Sequence, residues 1–167
     1  MSVAAVVAAA LTLLVGCAGI DDNGPLVVPF DEDGTCVPAE TYPVAAIGTI
    51  LTNSSAGDLT ITRVEPIEPE NVTVGEQSLM PSPGMKLLAD KYPPIEQFPD
   101  DWPNAESIDR AVVAAYEDDL VLVSEVAIDD DVELGTLAGF EIYYVDETGA
   151  EYVERTAHYL RIKRGGC

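Results

Sequence analysis

Gly48-Thr49-Ile50-Leu51-Thr52-Asn53, the polar insert Ser54-Ser55-Ala56-Gly57-Asp58, and then Leu59-Thr60-Ile61-Thr62-Arg63-Val64 form the stretch that decides the fold. The second run alternates apolar and polar residues, the pattern of a strand with one face buried, and places Leu59, Ile61 and Val64 inward. The first run extends back to Val44 through Val-Ala-Ala-Ile and reads as a strand as well. The polar insert between them, rich in Ser, Gly and Asp, reads as their connection.

Working toward the C-terminus, the same signature returns in Leu120 to Ile128, Phe140 to Val145, Tyr152 to Arg155 and Tyr159 to Lys163. In the last run Leu160 and Ile162 point one way, while Arg161 and Lys163 point the other. Asp146-Glu147-Thr148-Gly149 reads as the turn of a hairpin. Val72-Thr73-Val74 is a short strand beyond breaks at Pro66 and Pro69. One helical turn is expected over Ala111 to Tyr116, after a Ser107 cap. Many short strands with almost no helical periodicity predict an all-β fold, an antiparallel β-sandwich.

Between the two groups of strands, Pro81 to Asn104 contains Pro81, Pro83, Gly84, Pro93, Pro94, Pro99 and Pro103. Prolines at this density forbid a long helix or a central strand. A short helical turn fits over Lys86 to Asp90. Tyr92, Phe98 and Trp102 argue for packing. Two readings stand for these rings: anchors of a protein interface, or a cover over one side of the sandwich.

At the other end, Val3 to Val15 is an apolar run of about 13 residues, suited to the h-region of an export signal and too short to span a bilayer. Leu14-Val15-Gly16-Cys17 follows and resembles the lipobox of bacterial lipoproteins. That resemblance implies a signal peptide over residues 1–16, lipidation of Cys17 with a diacylglyceryl group, cleavage just before it, and display on the outer side of a membrane. Met1-Ser2-Val3 departs from the pattern, because it lacks the Lys or Arg that usually opens an export signal. Ala18 to Val37, with Asp21-Asp22-Asn23-Gly24-Pro25 and Asp31-Glu32-Asp33-Gly34, reads as a flexible tether over 17–35 ahead of a sandwich domain over 36–167. Export would place Cys36 and Cys167 in an oxidising compartment, where a disulfide between them is expected.

The strand phrases of the opening paragraph also resemble the first strands of immunoglobulin-like domains in bacterial surface proteins. The Tyr143-Tyr144-Val145 to Tyr152 hairpin is similar to the closing strands of surface lipoproteins from Gram-positive bacteria. The implied fold is an immunoglobulin-like antiparallel sandwich.

Thirty acidic residues against eight basic ones, with a net charge of −22, exclude nucleic acid and anionic lipid surfaces as partners. Self-repulsion favours a monomer. His158 is the single histidine, so a multi-histidine zinc site cannot be assembled without other ligands, and a structural or surface role is expected for it. Acidic runs such as Asp31-Glu32-Asp33 and Asp129-Asp130-Asp131 lack the ligand spacing of an EF-hand, although calcium or small-ligand binding through acidic loops is the alternative function. Met80 and Met85 match no copper spacing and read as packing residues. Asn53-Ser54-Ser55 and Asn71-Val72-Thr73 fit a glycosylation pattern and read as turn and strand-edge residues. No catalytic residues, metal or cofactor are expected. The reading is a lipid-anchored, non-catalytic interaction module whose partner is an envelope protein or a wall polymer.

Overall fold

A computed structural model describes residues 23–29, 34–81, 89–118, 120–156 and 158–167. The segment read as a signal peptide, Cys17, Met85 and most of the Asp31-Glu32-Asp33-Gly34 turn lie outside the described residues. Within them the chain is a largely antiparallel β-sandwich.

The larger layer is built on β3 (Val44–Asn53), β9 (Leu120–Ile128) and β5 (Val72–Pro81), bordered by β1 (Leu26–Val27), β6 (Ala89–Lys91) and β7 (Glu106–Ser107). The facing layer holds two sheets. In one, β12 (Glu151–Arg155), β11 (Gly139–Asp146), β4 (Leu59–Ile67) and β8 (Val112–Val113) pair in that order. In the other, β10 (Leu134–Leu137), β13 (Leu160–Lys163) and β2 (Thr35–Pro38) pair, with β13 and β2 parallel and every other ladder antiparallel. Gly139, at φ +136°, lets the chain step from β10 into β11. A Cβ there would lie 2.5 Å from the Thr156 carbonyl oxygen.

Alternation explains the core. Leu59 and Ile61 of β4, Leu51 of β3, Leu122 of β9 and Ile142 and Tyr144 of β11 fill one half of the space between the layers. Val37, Ile47, Val126, Phe140, Leu160 and Ile162 fill the other half. Val64 also packs inward, although Ile61 and Val64 are an odd number of residues apart. A bulge reconciles them: Tyr144 pairs with Ile61 and Tyr143 with Arg63, so Thr62 is the extra residue. Asn53 is buried at the end of β3. Its amide nitrogen donates to the Gly57, Val113 and Ala114 carbonyls, and its oxygen accepts from the Ser55 amide and hydroxyl, so this asparagine organises the β3–β4 turn.

The run Leu120-Val121-Leu122-Val123 does not alternate in polarity because β9 is buried on both faces. Leu122 points between the layers, and Val121 and Val123 pack outward with Ala46, Met80 and Phe98. What covers that outer face is the proline-rich excursion.

Several expectations are corrected. Residues 23–29 belong to the sandwich and are not tether: β1 pairs with β3, and Leu26 is 2% exposed. Burial of one large apolar side chain outweighs the turn-forming character of its neighbours. The short strand at Val72 runs on to Pro81. Pro66 is no break but lies inside β4, opposite Phe140, where its missing N–H faces the uncovered edge of the strand. The helical turn expected over Ala111 to Tyr116 is instead β8 followed by a turn, because Val113 is drawn into the core beside Leu59. Of the turn expected over Lys86 to Asp90, Ala89 and Asp90 are strand residues paired with β3. β10 carries no strand signature in the sequence, since Leu134-Gly135-Thr136-Leu137 is short and contains glycine.

Candidate interaction surfaces

The excursion leaves β6 through a cis Tyr92–Pro93 bond and turns back on itself, with the Phe98 amide donating to the Pro94 carbonyl and the Trp102 amide to the Phe98 carbonyl. A short 3-10 turn, Trp102–Asn104, returns it to β7. Phe98 is 1% exposed and sits on Ala46, Met80, Val121 and Val123. Of the two readings of these rings, Phe98 follows the cover over one side of the sandwich, because the second apolar face of β9 requires one. Tyr92 and Trp102 are half-buried over the same cluster, ring edge to ring face at 5.7 Å. The Tyr92 hydroxyl donates to Glu76 at 3.0 Å; burial first, and the Glu76 carboxylate second, push its pKa upward. The three aromatic residues thus act together as a brace.

A different surface sets a half-buried aromatic ring beside exposed cationic groups. On the outward face of β12-β11-β4 the Arg63 guanidinium lies 3.5 Å from the centroid of the Tyr143 ring. The Tyr143 hydroxyl donates to Glu141 at 2.6 Å, and Arg155 donates to the same carboxylate at 2.5 Å. These two bonds, Tyr143 foremost, hold the Glu141 carboxyl below its ordinary pKa. Glu65 pairs with Arg63 at 3.0 Å. Register places Val153 beside Tyr143, and Val145 beside Thr60 and the exposed Val112. A shallow groove of about 190 Å³ runs along Thr62, Arg63, Tyr143, Val145 and Glu151. Glu141 is tied to a hydroxyl and a cation and Glu65 to a cation, so the surface is equipped for recognition by stacking and ion pairing. Reading outward positions of the last hairpin, Glu141, Tyr143 and Val145 against Arg155 and Val153, would have found half of it. Arg63 joins only because the Thr62 bulge turns its side chain outward.

The acidic run at the β9–β10 connection does not converge. Arg164 crosses it, its Nε donating to the Val132 carbonyl at 2.8 Å, and lines an open depression with Asp130, Asp131 and Glu133. Among the described residues no group of three or more His, Cys, Asp or Glu side chains is arranged to hold a metal ion. His158 is half-buried beside β13. Cys36 and Cys167 form the expected disulfide, at S–S 2.06 Å, tying β2 to the residues after β13.

No protein-family model matches the sequence, and no curated protein matches it. Among solved structures, the chain is similar to a PapD-like domain of human CEP192, at 8% identity and a TM-score of 0.44, covering 96% of this chain and 99% of that one. It is similar to the N-terminal domain of PorA, at 13% identity and TM-score 0.34, over 84% of this chain and 98% of the other. A cohesin module from a Clostridium perfringens family 33 glycoside hydrolase gives 14% identity and TM-score 0.34, over 84% and 97%.

Proposed function

We propose that this chain is a lipoprotein anchored through Cys17 on the outer side of a bacterial membrane, where it serves as a non-catalytic interaction module. The observation that carries the reading is the Cys36–Cys167 disulfide, which fits an oxidising, extracytoplasmic setting and agrees with the lipobox-like sequence ahead of it. The contact surface is the outward face of β4, β11 and β12, centred on Tyr143 and Arg63. Aromatic and guanidinium groups are the side chains that most often dominate protein interfaces, and the partner is an envelope protein.

The anchor would hold the domain close. Leu26 is already in the core, so the tether reduces to the few residues between Cys17 and Asn23, at most about 20 Å when fully extended. Such a module works at the bilayer surface and does not reach deep into the envelope.

The test compares wild type with Cys17→Ala in a bacterial host, reading intact mass and partition into membrane. A wild-type chain beginning at a diacylated Cys17 and partitioning with membrane, with the variant unmodified, supports the reading. A full-length, unmodified wild-type chain in the soluble fraction refutes it. Photo-crosslinking from position 143 then tests the surface, and a Tyr143 probe that captures no envelope protein rejects it as the contact.

A further inference from the structure

β12 is a five-residue edge strand that no other described strand covers. Its hydrogen-bonding phase follows from its partner. The Asp146 amide donates to the Ala150 carbonyl and the Thr156 amide to the Phe140 carbonyl, within a register that pairs Tyr144 with Tyr152 and Ile142 with Glu154. Even-numbered residues of β12 therefore bond to β11. The backbone N–H and C=O groups of Glu151, Val153 and Arg155 point away from the sheet.

Other long edges carry features that discourage pairing: Pro66 and the Thr62 bulge in β4, and a bulge between Val74 and Gln77 in β5. β12 has no proline, bulge or lysine. It reads Glu151-Tyr152-Val153-Glu154-Arg155, and its outward side chains are acidic, apolar and basic in turn. Laid antiparallel on itself about Val153, this strand is self-complementary. Glu151 of each copy falls opposite Arg155 of the other, Val153 meets Val153, and the three residues with outward backbone groups meet their counterparts.

We propose that two copies of this chain join edge to edge through β12, antiparallel about Val153, so that β4-β11-β12 of both form one continuous sheet. The two-fold axis is normal to that sheet. Gly24, which donates to the Glu154 carboxylate, then lies on the same side of the joined sheet in both copies, so two N-terminal anchors can enter one bilayer. The net charge of −22 had favoured a monomer, but charges away from the contact are screened beyond about 8 Å at physiological salt, and the contact itself alternates in sign.

Native mass spectrometry of the full-length chain, in detergent if it partitions with membrane, reads the stoichiometry and does not depend on lipidation. Wild type is expected as a two-chain species at roughly 10 µM, and Arg155→Glu or Glu151→Arg alone should weaken it at least about tenfold by opposing like charges. The Glu151→Arg/Arg155→Glu double variant, which restores the pairs in reverse, should recover two chains. Val153→Pro should be a folded single chain, because its N–H faces outward and bonds to no strand of its own sheet. A wild type that stays a single chain up to roughly 100 µM overturns the proposal, as does a double variant no better than the single ones.

Discussion

Phe98→Ala separates a brace from a binding loop. The ring is 1% exposed and packs on the outer face of the larger sheet. A buried aromatic side chain removes about 150–250 Å² from water, and at about 25 cal/mol per Å² this stabilises the fold by roughly 4–6 kcal/mol. The methyl group of alanine retains part of that, and truncations of buried aromatic residues cost about 3–5 kcal/mol, so about 4 kcal/mol is expected here. With a urea slope of about 2 kcal/mol/M, the unfolding midpoint should fall by about 2 M. Trp102, the single tryptophan, sits in the brace against Tyr92 and makes fluorescence a local reporter, while far-UV circular dichroism follows the strands. The two probes should move together to lower urea, because the brace closes a cluster contributed by β3, β5 and β9. If the variant unfolds within about 0.3 M of wild type, Phe98 does not hold the sheet and the excursion is free to serve as a binding loop. If fluorescence alone shifts, the brace is a separate unit.

Two further predictions concern stability. Replacing Cys36 and Cys167 by serine opens a loop with a sequence separation of 131 residues, and chain entropy alone predicts a loss of about 5 kcal/mol, measurable as a lower urea midpoint. A double-serine variant within about 1 kcal/mol of wild type would mean that the parallel β2–β13 pair already restrains the chain ends without the bond. For pH, the carboxyls of Glu141 and Asp146 lie below their ordinary pKa because of hydrogen bonds, first from Tyr143 and Thr148 respectively. Their contribution is therefore present above about pH 4.5 and lost as pH falls further. Tyr92 and Tyr144 are raised, chiefly by burial, so their contribution is complete below about pH 10 and lost above it. Thermal melts should weaken at both ends, and an acid limb unchanged in Glu141→Gln and Asp146→Asn variants would refute the acid assignment.

Much of the fold could be read from local pattern. Leu59 and Ile61, and Leu160 and Ile162, announce strands with one buried face, and Asp146 to Gly149 announces the hairpin turn. Elsewhere the pattern misled for identifiable reasons. Pro69 does fall in the connection between β4 and β5, but Pro66 suggested that the strand ended earlier, whereas proline interrupts a strand only where its N–H is needed, and at β4 that side is an open edge. Asp, Gly and Pro around Leu26 suggested a tether, while the single leucine among them fills the core. Of the three aromatic residues singled out for contact, Phe98 is core and Tyr92 and Trp102 cover it. The surface around Tyr143 and Arg63 is only half legible along the chain, because Arg63 joins the last hairpin from a strand far away in sequence.

The sequence by itself determined what depends on neighbours along the chain: strand periodicity, turns, the acidic balance, the export-like N-terminus and two cysteines destined to meet. Tertiary structure decided which faces are covered, and by what. Whether an apolar position faces a second layer, a brace or solvent depends on segments that arrive from elsewhere. A one-residue bulge at Thr62 is enough to exchange inside for outside on one strand, because side chains alternate with a period of two.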